Sequence, residues 1–203
     1  KHHEIPVYGL YAGKNNKVIL YLEDKSGKKL TKEIYIQTEE LPENFYTINL
    51  VQSKPEKMEP GFTFLSTVGK HNNSIIDSNG DIRWYTNYKS NLIFKRLRNG
   101  NIIMNSEAKN KFLELDLLGK IYNIYSIASE NIHHDILEME NGNFLITTLD
   151  ENGSEDSLIE LSRNSGKIIK KIDLKTVLDQ NRYINKKLFK QDFFGASFDD
   201  WFH

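Results

Sequence analysis

The sequence predicts an all-β protein: a small N-terminal β domain followed by the first blades, about three, of a β-propeller, with one short helical insertion between blades. Three observations predict it. A hairpin pattern fills the N-terminal region, two kinds of glycine-centred hairpin then alternate at nearly constant spacing, and a single stretch near Asp173 departs from strand periodicity.

Residues 5–51 read as the β domain. Val18-Ile19-Leu20-Tyr21-Leu22 and Lys32-Glu33-Ile34-Tyr35-Ile36 flank the turn signal Asp24-Lys25-Ser26-Gly27, the composition of two short strands around a tight turn. Pro55 and Pro60 then stand among Lys54, Glu56, Lys57, Glu59 and Gly61, a polar, φ-restricted stretch that resists strand formation. The expected division is therefore 1–53 for a sandwich-like N-terminal domain, 54–61 for a linker and 62–203 for a partial propeller.

Beyond the linker, one hairpin unit recurs as Ile75-Ile76-Asp77-Ser78-Asn79-Gly80-Asp81-Ile82, as Leu113-Glu114-Leu115-Asp116-Leu117-Leu118-Gly119-Lys120-Ile121 and as Ile159-Glu160-Leu161-Ser162-Arg163-Asn164-Ser165-Gly166-Lys167-Ile168. Its glycines stand 39 and 47 residues apart. A second unit, Leu97-Arg98-Asn99-Gly100-Asn101-Ile102, returns 42 residues later as Met139-Glu140-Asn141-Gly142-Asn143-Phe144. Two hairpins per period of roughly 40–50 residues make a four-stranded blade. Propellers close with roughly 4–8 blades, so the chain is expected to be part of a longer one. Within the last period Asp173 is placed to cap a helix carrying Leu174, Val177 and Leu178 on one face, and a second short piece is expected around Tyr183, Ile184, Leu188 and Phe189.

Composition narrows the function. Lysine and arginine number 27 against 28 acids, a formal net charge of −1, so no overall field draws the chain to nucleic acid or to an anionic membrane. With no cysteine, disulfides, thiol catalysis and thiolate metal sites are excluded. No run approaches the roughly 20 apolar residues of a membrane span, and no signal-peptide pattern is present. Lys1 in the place of methionine is compatible with a trimmed leader. Neither a phosphate-cradling glycine loop nor a nucleophile elbow occurs.

Histidine is the residue type left to carry chemistry. His133 and His134 precede Asp135 at the start of a strand-like segment, where alternation would send one ring inward and its neighbour between strands. Asp135 could accept one ring N–H and fix that tautomer. The pairs His2-His3 and His133-His134 lack the spacing that brings two nitrogens onto one ion, so neither a metal nor another cofactor is expected. His203 ends the chain after Asp199-Asp200-Trp201-Phe202. Taken alone, each of these pieces is also compatible with a structural or surface role.

In combination and order, these residues resemble the bacterial arylsulfate sulfotransferases that do not use the nucleotide sulfate donor. The likeness runs from Ile5-Pro6-Val7-Tyr8-Gly9-Leu10-Tyr11, similar to that family's opening strand, through Asp81-Ile82-Arg83-Trp84-Tyr85 and His133-His134-Asp135-Ile136 to Asp200-Trp201-Phe202-His203. It implies a six-bladed propeller in which a histidine takes a sulfuryl group from a phenolic sulfate ester and passes it to a phenol. It also implies a periplasmic homodimer. By motif position His203 and one of the His133-His134 pair, His134 being preferred for its place before Asp135, are implied catalytic residues. The histidine that becomes sulfated belongs to sequence beyond these residues, so the isolated chain is expected to be inactive. The reading from a different class is a propeller that binds a partner or ligand without turnover.

Overall fold

A computed structural model of the chain describes residues 2–67, 72–90, 92–106, 108, 110–127, 129–149 and 157–178. The contacts divide the chain into two compact units, Lys1–Asn87 and Tyr88–His203. Among the described residues the architecture is all-β apart from a 3-10 turn at Pro55–Lys57 and one four-residue helix. No described helix is long and apolar enough to cross a membrane.

In the first unit, β1 (Asn15–Glu23) pairs antiparallel with β2 (Lys29–Gln37) around the expected turn. Asp24 Oδ1 accepts the N–H groups of Ser26 and Lys28, and Gly27 takes φ +83°, the left-handed step that such a turn requires of one residue. The segment Ile5–Tyr11, expected as a strand, is not one. Pro6 has no N–H to give a ladder, Gly9 turns to φ +68°, and the segment is held by side chains instead. Asn16 bonds Tyr11 through both its amide oxygen and nitrogen, and Arg83 Nε donates to the Gly9 carbonyl at 2.8 Å while its guanidinium lies over the Tyr11 ring. Arg83 belongs to a three-stranded meander of β3 (Thr63–Leu65), β4 (Ser74–Ile76) and β5 (Ile82–Tyr85), and its Nη1 is paired with Asp77 at 2.7 Å.

The second unit contains two four-stranded antiparallel meanders. One runs β6 (Phe94–Arg96), β7 (Ile102–Asn105), β8 (Lys111–Leu115), β9 (Ile121–Ser126), and the other β10 (Asn131–Glu138), β11 (Phe144–Leu149), β12 (Ser157–Leu161), β13 (Ile168–Asp173), each in chain order across its sheet. This is the blade arrangement that the alternating hairpins predict. Alternation is clean on β11 and β12: Phe144, Ile146 and Thr148 point inward opposite Leu161, Ile159 and Ser157. Phe144, Ile146, Ile159 and Leu161 join Ile103, Phe112 and Tyr125 of the preceding sheet in one core, with the Tyr125 ring edge-on to Phe144 at 5.4 Å.

The repeat extends to backbone irregularities. Register shifts fall between Ile75 and Ile76, Glu114 and Leu115, and Glu160 and Leu161, each at the same place before the turn of the first hairpin unit. The β3–β5 meander therefore carries the same device as the two complete sheets. The helix α1 (Leu174–Val177) follows β13, capped as expected by Asp173, whose side chain accepts the Lys175 N–H. The second expected helical piece, Tyr183 to Phe189, lies outside the described residues.

Phe144 is fully buried at the junction of the two sheets. Phe144→Ala is expected to lower the unfolding free energy of the second unit by about 3–5 kcal/mol, seen as an earlier urea midpoint at unchanged slope. A loss below about 1 kcal/mol would show that the two sheets do not depend on this shared core.

Candidate active site

The first strand of the second complete sheet breaks where the histidines stand. β10 and β11 pair in register at Asn131 and Ile132, lose it, and resume at Ile136, leaving His133, His134 and Asp135 as a bulge. His134 takes φ +45°, a left-handed step uncommon for any residue with a side chain. The strict alternation expected of the His133-His134 pair is consequently absent. Instead of facing opposite ways, the two rings meet edge to face with centroids 3.7 Å apart. His133 is half-buried and His134 exposed.

Thr147 on β11 holds the bulge together. Its Oγ1 accepts the Asp135 N–H at 2.9 Å and lies against the carbonyl oxygens of His133 and Asp135, to which it can donate. Asp135 does not serve as the expected tautomer-fixing acceptor. Its Oδ1 accepts the Ile136 N–H at 2.7 Å and pairs with Lys95 Nζ at 2.5 Å. Because Lys95 lies on β6 and Asp135 on β10, the first strands of the two sheets meet at this ion pair.

The same scaffold occurs one repeat earlier. Leu92, 42 residues before His134, has φ +67°, and the Ile93 N–H is accepted by Asn105 Oδ1 at 3.2 Å as the Asp135 N–H is by Thr147. The left-handed step with a polar side chain from the second strand is thus part of the blade design, whereas the imidazoles on it are particular to this blade. Lys95 and Thr147 were not singled out from sequence. Thr147 was recoverable there, since it stands 42 residues after Asn105; for Lys95 no pattern gave a signal.

Sequence reading also missed a buried polar cluster at the C-terminal end of β10. Glu114, only 2% exposed, accepts Asn99 and Asn101 amide donors at 3.0 and 2.8 Å, the Tyr125 hydroxyl at 2.9 Å and Arg163 Nη2 at 2.6 Å. Arg163 also pairs with Glu138 at 2.7 Å. In the next sheet Asn141 and Asn143 donate to Glu160 in the same way, so the signal was present in the repeated Asn-Gly-Asn turns and in the glutamates of Leu-Glu-Leu and Ile-Glu-Leu. Burial raises the Glu114 carboxyl, but the hydrogen bonds from Arg163, Asn101, Asn99 and Tyr125 outweigh it and hold it at about 2. Burial, together with the hydrogen bond to Glu114 and its charge, pushes Tyr125 up to about 12. A carboxylate that weakly basic and a phenol that weakly acidic are unsuited to proton transfer near neutral pH. The cluster is a clasp, and the candidate for chemistry is the histidine bulge.

Of the residues singled out from sequence, His133 and His134 are brought into ring contact, while His203 lies outside the described residues. Among the described residues no group of three or more histidine, cysteine, aspartate or glutamate side chains could hold a metal ion.

Comparison with known proteins bears on the whole chain. The sequence model of the family described as Arylsulfotransferase (ASST) matches residues 47–203, and that of the Arylsulfotransferase Ig-like domain matches residues 1–39. No curated protein matches. Among solved structures, a protein of unknown function from Bacteroides caccae is similar at 16% identity and a TM-score of 0.42, over 73% of this chain and 52% of that one. The chain spans about half the length of that structure.

The clasp has a definite pH signature. Because the folded carboxyl of Glu114 titrates near 2 against an ordinary 4.5, its contribution is fully present above about pH 4.5 and is lost as pH falls toward about 2. Glu114→Gln, which leaves Arg163 facing a neutral amide, is expected to cost about 3–5 kcal/mol at pH 7 and to flatten the acid limb of stability between these pH values. Parallel acid limbs in parent and variant, measured by urea unfolding, would exclude this role.

Proposed function

This chain belongs to the arylsulfotransferase family, and we propose that the protein containing it moves a sulfuryl group from a phenolic sulfate ester to a phenol through a sulfohistidine. His134, His133 and His203 assist the transfer in this reading, and the histidine that carries the sulfuryl group lies outside these residues. The observation that carries the proposal is the bulge of β10, where an exposed imidazole in ring contact with a second one stands beside the meeting of two sheets. For His203 the support is the resemblance of Asp200-Trp201-Phe202-His203 to the family's motif.

The chemistry suits histidine. In the first step the S–O bond to the aryl oxygen breaks, its electron pair leaves on the phenolate, and an S–N bond forms to the nucleophilic ring. In the second, an acceptor phenol oxygen bonds to sulfur, the S–N pair returns to the ring, and the phenol proton passes to a base. By analogy with phosphoryl transfer the transition state is loose, with charge on the group's oxygens and on the departing phenolate, so positioned donors count for more than strong bases. An imidazole with an ordinary pKa of about 6.5 donates when protonated and accepts when neutral within the same pH range. A phenol of pKa about 10 leaves with modest assistance.

As part of the same proposal, residues 62–203 contribute blades to a six-bladed propeller with the site at its axis, residues 1–53 form a separate β domain joined by 54–61, and the protein is a periplasmic homodimer. The repeated register shifts support counting the β3–β5 meander with the blades.

In the full-length protein, His134→Ala is expected to slow nitrophenolate release from 4-nitrophenyl sulfate with phenol as acceptor by roughly tenfold or more. An unchanged rate removes His134 from the mechanism. Absence of any acid-labile sulfo-adduct on histidine after donor treatment would instead assign the protein to non-catalytic binding.

A further inference from the structure

The ion pair at the bulge poses an electrostatic problem for the proposed donor. A phenolic sulfate ester is a monoanion, yet the residue immediately after His134 is an aspartate whose side chain is 55% exposed. A carboxylate there would repel the ester's oxygens. Its partner Lys95, 47% exposed, reaches it from the first strand of the neighbouring sheet at 2.5 Å. The pair is therefore open to solvent and to a ligand at the seam, and its net charge is zero.

Building on the sulfotransferase reading of this site, we propose that Lys95 is a positioning residue for donor recognition: by holding and neutralising the Asp135 carboxylate across the seam between the two sheets, it makes the histidine bulge compatible with an anionic sulfate ester. Two features argue against an incidental surface pair. Asp135 is held locally, with its N–H on Thr147 and its Oδ1 on the Ile136 N–H, which keeps its carboxylate at the bulge that carries the imidazoles. The corresponding position in the preceding repeat is Ile93, buried and uncharged, so the scaffold does not itself require an acid at that place. Such a charge pair is worth little as an exposed stabilising bridge. Its consequence is for the field that an incoming anion meets, because one uncompensated charge a few ångströms away, even screened by water, changes the affinity for an anion by a factor on the order of ten.

The test uses the full-length protein with 4-nitrophenyl sulfate as donor and phenol as acceptor. Lys95→Met is expected to raise KM for the donor about tenfold while kcat stays within about twofold, since the lost interaction acts on ground state and transition state alike. The double variant Lys95→Met/Asp135→Asn, which removes both charges, is expected to bring KM back to within about threefold of the parent, and Lys95→Arg to keep it near the parent value. The gap between Lys95→Met and the parent should narrow as salt is raised. A parental KM in Lys95→Met, or a KM in the double variant as high as in the single one, overturns the inference. Should Lys95→Met fail to fold, Asp135→Asn alone decides: a donor KM raised with the acidic side chain gone contradicts electrostatic compensation, whereas a KM equal to or below the parent's supports it. His134→Ala separates the two levels. If it leaves nitrophenolate release unchanged, the reading of the site is wrong; if it slows release while Lys95→Met keeps a parental KM, only the role of Lys95 is wrong.

Discussion

A carboxylate withdrawn from water must be met by cations and hydrogen-bond donors, and in the second unit that requirement falls on Glu114. It sits on a strand buried along nearly its whole length, and its partners come from three directions: the Asn-Gly-Asn turn of its own sheet, the Tyr125 hydroxyl of the adjoining strand, and Arg163 of the next sheet. The last of these couples the two sheets from within their buried surface, whereas Lys95–Asp135 and Arg98–Glu138 couple them at exposed positions. Apolar burial is non-directional and by itself sets no register. Arg163, bonded at 2.6 Å to Glu114 and at 2.7 Å to Glu138, is directional. Misregister would leave a charge buried without its partner, so the clasp fixes the C-terminal end of β10 relative to the preceding sheet.

Much of this was legible in the sequence because the blade is written as a repeat. The turn glycines, the Asn-Gly-Asn motif and the strand alternation follow from φ requirements and from burial on one face, both of which leave local marks. Three things were not legible, each for a physical reason. Ile5–Tyr11 looks like a strand, yet it is tied by Asn16 and Arg83, whose partners lie far along the chain in the case of Arg83. The His133-His134 pair should alternate on an ideal strand; the bulge, set by where pairing with β11 fails and resumes, overrides that. Lys95 carries no pattern, since a lone lysine on a short strand acquires meaning only when the neighbouring sheet brings an aspartate to it. The clasp is an intermediate case: its donors and its glutamate recur visibly in both repeats, but nothing local shows that Arg163 reaches across.

Comparison of the two sheets separates what builds the blade from what is placed on it. The Asn-Gly-Asn turns, the clamped glutamates, the register shift between the third and fourth strands and the left-handed step at Leu92 and His134 all occur twice, with hydrogen bonds from equivalent atoms. Features that recur in blades with different neighbours answer to the blade's own construction. The imidazoles do not recur, nor does Asp135: the matched residues in the preceding sheet are Leu92 and Ile93. Arg163 also departs from the repeat, its counterpart being Leu117, but it has a structural partner in Glu114; at the bulge the side chains change while the left-handed step and its hydrogen bond from the second strand are kept.

The middle of β10 and its C-terminal end therefore have opposite characters, on the order of 13 Å apart along the strand. At Glu138 the strand is pinned by Arg163 and by the backbone N–H of Arg98; at His134 it swells out of register and exposes a ring. A catalytic group needs both conditions, since a side chain gains nothing from reaching solvent if the strand beneath it can shift, and a fully paired strand would turn one of the two rings away from the other. Pinning the end of the strand and bulging its middle brings both histidines to the same spot on a supported strand. The sulfuryl transfer proposed above would call for such an arrangement, because in that reaction the protein's contribution is placement of donors around a sulfur atom and a field that admits an anion.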